Sequence, residues 1–149
     1  MKNNLKFFAY ILLLINSVGA LYGGWNLMVN PDGESLNLPI EFLEHTPFLD
    51  YFIPGIILFL SNGVFGIAVI IAMYNRTKNY SSLIMFQGIL LLGYILTEIV
   101  LIKTFSPLQL IAGVIGITLM ILSYMLIKLR DNRRGKQKSM SDLNVSQNQ

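Results

Sequence analysis

The chain is expected to fold as an all-α, membrane-embedded antiparallel bundle of four transmembrane helices. Three observations carry that expectation. Of 149 residues, 54% are hydrophobic and only 13% are charged, about half the charge of an ordinary soluble domain. The charges leave long gaps: Lys6 to Asp32 encloses 25 uncharged residues, Asp50 to Arg76 another 25 and Lys103 to Lys128 24, while Lys78 to Lys103 is broken only by Glu98. An apolar run of about 18 residues or more can cross a hydrocarbon core about 30 Å thick. Third, the basic residues segregate. Lys2, Lys6, Arg76, Lys78, Lys128, Arg130, Arg133, Arg134, Lys136 and Lys138 fall on one side of the threaded chain. Lys103 alone falls on the other, together with Asp32, Glu34, Glu41, Glu44 and Asp50.

This composition excludes a soluble enzyme, a disordered chain and a secreted disulfide scaffold. There is no cysteine, so disulfides, thiolate metal sites and Cys nucleophiles are excluded too. The net charge of +3 sits in the flanks of the apolar runs. There it is expected to set orientation, with both termini cytoplasmic, and it does not point to nucleic acid.

Span 1 is expected at about Phe7–Met28. Its start, Lys2 and Lys6 followed by Phe7–Ile15 and Asn16-Ser17-Val18-Gly19-Ala20, also reads as a signal peptide. Cleavage after Ala20 would leave three spans. The apolar stretch continues through Leu21, Tyr22, Trp25 and Val29, which favours an uncleaved anchor. The outer loop, residues 29–46, follows. Asn30-Pro31-Asp32-Gly33 reads as a tight turn, and Leu38–His45 as a short amphipathic helix with Phe42 and Leu43 toward the membrane.

Span 2 is expected at about Pro47–Tyr74, capped by Thr46 and kinked where Pro54-Gly55 interrupts it. A short inner loop leads to span 3, about Ser82–Phe105. Ser106 then caps span 4, about Pro107–Ile127. Residues 129–149 form a basic and then polar tail, expected to be disordered.

Gly23-Gly24-Trp25, Pro31-Asp32-Gly33, Leu38-Pro39 and Thr46-Pro47-Phe48-Leu49-Asp50-Tyr51-Phe52-Ile53-Pro54-Gly55, taken in order, resemble a group of small bacterial four-span membrane proteins of uncharacterised activity. The resemblance extends to Glu98 and to Phe105-Ser106-Pro107-Leu108-Gln109. It implies four spans. It carries no reaction and no ligand.

Among candidate functional residues Glu98 stands first. At 1.5 Å per residue it lies about 7 Å beyond the bilayer midplane, where a carboxyl group costs about 2.5 kcal/mol or more to insert. It should therefore face the bundle and find a partner among Asn62, Ser61, Asn16, Ser17, Thr118 and Lys103. One reading makes it a proton- or cation-coupling group of a small transporter, with Asn62 and Asn16 lining a polar path. The plainer reading makes it a structural hydrogen-bonding group.

The acidic outer loop, Asp32, Glu41, Glu44, His45 and Asp50, forms a second group. Glu41 and His45 have helical metal-ligand spacing, but two firm ligands are too few, so neither a metal nor a cofactor is expected. His45 is the only histidine, and no hydrolase motif accompanies it.

Small residues at Gly19-x-x-x-Gly23, Ala20-x-x-x-Gly24 and Ala112-x-x-x-Gly116 permit close helix contacts, by default inside the bundle. The expected function is that of a non-catalytic accessory or interaction subunit. Its partners would be the lipid bilayer and a membrane protein or a second copy.

Overall fold

The computed structural model describes residues 2–44, 46–102 and 107–147. Four helices account for most of them: α1 (Lys2–Val29), α2 (Phe52–Tyr74), α3 (Tyr80–Ile102) and α4 (Pro107–Gln147). Each contains a stretch of 21 residues or more that is long and apolar enough to cross a membrane. The chain is a multi-pass membrane protein. Leu14, Val18, Val64, Leu96 and Ile117 stand exposed on the outside of the bundle, a cost in water and none against lipid tails.

Glycines set how the helices pair. A Cβ on Gly24 of α1 would come within 2.8 Å of the Gly55 carbonyl and the Phe59 nitrogen of α2. Gly63 lies against Leu21, and Gly66 against Ser17. In the same way a Cβ on Gly88 of α3 would meet the Gly116 carbonyl of α4 at 2.9 Å. The bundle is thus two close pairs, α1 with α2 and α3 with α4, whose backbones approach because no side chain intervenes. The pairs join at the basic end, where Leu13, Val69, Ile84, Leu119 and Leu126 are fully buried together.

Several expectations are corrected. Helix α2 starts at Phe52 and not at Pro47, because Thr46 closes its own turn: its hydroxyl donates to the Leu43 carbonyl (2.9 Å) and accepts the Phe48 N–H (3.2 Å). Asp50 instead accepts the Phe52 N–H at 3.0 Å. Pro54 therefore falls in the first helical turn, where an N–H has no intrahelical partner to lose, and it does not break the helix. The irregularity comes later, as a π-helical segment at Phe59–Val64. Among the described residues of the expected Leu38–His45 helix, Ile40–Leu43 form a short 3₁₀ turn, and a second 3₁₀ turn, Glu34–Leu36, precedes it. Helix α4 continues to Gln147 where disorder was expected. Residues 130–147 contain no proline to stop the helix. The expected Ser106 cap lies outside the described residues.

The loop forms an ordered cap built around Tyr51. The Tyr51 N–H donates to the Pro31 carbonyl and its hydroxyl to the Pro39 carbonyl, both at 2.8 Å. The Asn30–Gly33 turn closes with a 3.1 Å hydrogen bond. Gly33 takes φ 80°, and a side chain there would strike the Tyr51 ring. Leu27, Leu43 and Tyr51 form a small buried core beneath the cap.

Candidate functional site

Because α2 is drawn onto α1 and α3 onto α4, the two pairs diverge away from their shared core. Helix α2 touches α3 through its second half, Phe59–Tyr74, and parts from it over Phe52–Leu58. The space left is a half-open crevice of about 490 Å³ under the cap. Leu27, Leu43, Phe48, Ile57 and Leu90 make its wall apolar. Polar groups enter it at few points: Ser61 at the deep end, Tyr94 along α3, and Tyr51, Thr97 and Glu98 toward the cap. Gly93 lines it with no side chain, and no atom stands within 4 Å of where its Cβ would be.

Glu98 is half-buried at the crevice and hydrogen-bonds to Gln109 of α4, itself buried. Among the described residues it is the only acidic or basic side chain that lines the space. Burial pushes the Tyr51 phenol up from its ordinary value, and the nearby Glu98 and Glu41 carboxylates add to the shift. Tyr51 therefore keeps its proton at neutral pH and remains the donor to Pro39.

Below the crevice, midway along the helices, lies a buried polar cluster. The Gln87 amide donates to the Asn62 side-chain oxygen at 3.0 Å, and the Asn62 amide to the Ser61 hydroxyl at 3.0 Å. The Asn16 amide reaches the Asn62 carbonyl at 3.5 Å. That carbonyl belongs to the π-helical segment, whose altered register leaves carbonyls free to accept side-chain donors. Among the described residues the Ser17 hydroxyl and the Gln87 side-chain oxygen find no hydrogen-bond partner, and both are buried beside Gly66. Ser61 belongs to the cluster and to the crevice, so the two are contiguous.

The structure thus gathers Asn62 and Asn16 but does not bring them to Glu98. Eleven residues of α3 separate Glu98 from Gln87, about 16 Å along a helix axis. Glu98 finds Gln109, which is not among the residues expected as its partners. Thr118 bonds within its own helix to Val114 at 2.7 Å. Gln87 was missed altogether, although a lone glutamine in an uncharged span is a readable signal. Lys103 and His45 lie outside the described residues.

In the cap, Asp32 accepts the Glu34 N–H at 3.1 Å and acts as a turn residue, like Asp50. Glu41 and Glu44 are exposed. Among the described residues no three acidic, His or Cys side chains converge to hold a metal. Four apolar helices, a folded cap and a lateral apolar crevice define a membrane protein by architecture. No family model matches the chain, and no curated protein or solved structure matches it significantly.

Proposed function

We propose that this is a non-catalytic accessory protein of the bacterial plasma membrane that takes up a membrane-partitioned amphiphile in the crevice under its cap. The helices run antiparallel, with both termini cytoplasmic and the cap outside, as the charge distribution favours. The observation that carries the reading is the crevice itself: apolar, half-open between two helix pairs, with a few polar groups at its cap end. Such a shape binds an apolar body and orients one polar head. In-cell photocrosslinking tests it. A photoreactive amino acid at Leu90 should give a discrete low-mass adduct, while the same group at lipid-exposed Leu96 should give only bulk lipid. Identical adducts at both positions would refute the reading.

A second reading has one observation in its favour. The polar cluster continues from the crevice floor into the bundle and holds two unpartnered buried oxygens. That is the beginning of a polar path for a proton- or cation-coupled transporter using Glu98 with Asn62 and Asn16. In proteoliposomes Glu98→Gln would then insert and fold normally but abolish coupled flux. Flux retained in that variant excludes the transport reading.

A further inference from the structure

The crevice has a chemical bias that narrows its ligand. Three aromatic residues line it at or near the cap end, Phe48, Tyr51 and Tyr94, and Glu98 lines the same space, near enough for its charge to act on the Tyr51 phenol. Aromatic faces and a carboxylate are the two groups that together hold an ammonium head, the rings by their quadrupole and the carboxylate by charge. The rest of the wall is apolar, so the body of the ligand is a hydrocarbon.

The surroundings point the same way. Among the described residues the cap end carries Asp32, Glu34, Glu41, Glu44, Asp50 and Glu98 and no Lys or Arg. Lys103, the one basic residue the sequence places there, lies outside the described residues. A field of that sign draws cations toward the mouth and repels phosphate, sulfate and carboxylate heads.

Resting on the reading of the crevice as an amphiphile site, we propose that its ligand class is cationic: a protonated amine or quaternary ammonium on an apolar body, its head between Glu98 and the rings of Tyr51 and Tyr94. The head sits at the cap end and the tail runs down α3 past Gly93 toward Ile89. From Glu98 to Ile89 is about 13 Å of helix axis.

The test uses the full-length protein in nanodiscs of zwitterionic lipid, with empty nanodiscs to subtract partitioning. The probes are photoreactive alkyltrimethylammonium, a chain-matched alkyl maltoside and a chain-matched alkyl sulfate. The ammonium probe should bind about tenfold or more tightly than the maltoside and label the Ile89–Glu98 stretch, and the sulfate should bind weakest. Glu98→Gln should bring the ammonium down to the maltoside level. Gly93→Leu, whose Cβ would meet no atom of another residue within 4 Å, should weaken both.

Equal binding of ammonium and maltoside by the unaltered protein overturns the cationic assignment, as does unchanged ammonium binding in Glu98→Gln. If both probes are still blocked by Gly93→Leu in that case, the crevice remains an amphiphile site without charge preference. If Gly93→Leu affects neither probe, the crevice reading itself has failed.

Discussion

Two glycines of α1, five residues apart, should respond oppositely to the same added methyl group. At Gly24 an alanine Cβ would sit 2.8 Å from the Gly55 carbonyl, from the Phe59 nitrogen and from the Phe59 Cβ. None of these is the far end of a flexible side chain, so α2 as a whole must move. Overpacking of this kind costs about 1–3 kcal/mol. At Gly19 nothing stands within 4 Å of the new atom. The usual gain of alanine over glycine in a helix is muted here, because in a bilayer the helix stays hydrogen-bonded even when the bundle separates. Gly19→Ala should therefore lie within about 0.5 kcal/mol of the parent protein. The comparison is made by SDS titration in mixed micelles, followed through Trp25, the single tryptophan. Gly24→Ala should unfold at clearly lower SDS, and Gly19→Ala should be indistinguishable from the parent. Equal losses at the two sites, or none at Gly24, would refute the account of α1–α2 pairing. A change of oligomeric state in Gly19→Ala would show that this face of α1 meets a second copy.

Other outcomes follow from the cap, the polar cluster and the tail. Tyr51→Phe removes the 2.8 Å bond to Pro39 and should cost about 1 kcal/mol. Faster hydrogen exchange confined to residues 30–51 would register it. Because the folded phenol is raised above its free value, the stability it contributes is fully present below about pH 10 and lost as pH climbs through the raised value. An alkaline loosening of the cap is expected in the parent and not in Tyr51→Phe. Gln87→Leu strands the buried Asn62 side-chain oxygen, a penalty of about 1–3 kcal/mol. Removing Gln87's own unpartnered oxygen offsets part of it, so the net loss in the same SDS titration should fall in the lower half of that range. Arg130→Ala frees the Lys78 carbonyl, now bound at 2.7 Å, and should raise hydrogen exchange across residues 75–80 with little change in bundle stability.

Charge gaps and hydropathy are properties of the chain alone. They were sufficient to read four membrane-crossing helices, the Asn30–Gly33 turn and the acidic and basic ends, because a bilayer acts on each segment separately through its length and polarity. Where span 2 begins was not legible. Thr46-Pro47 has the residues of a helix start, and only the Thr46 turn and the docking of Tyr51 show the chain spending five more residues in the cap. Glu98 announced itself as a carboxyl in an apolar run. Its partner Gln109 did not, because which residues of α3 and α4 share a level depends on how the helices pack. The crevice is still further from the sequence. It exists because glycines at positions 24, 55, 88 and 116 pull the helices into two pairs, leaving a gap where neither pair has a side chain to fill it. Each glycine was visible as a residue, but whether a small residue makes a contact or leaves a hole depends on what stands opposite, and that is a property of the packed bundle.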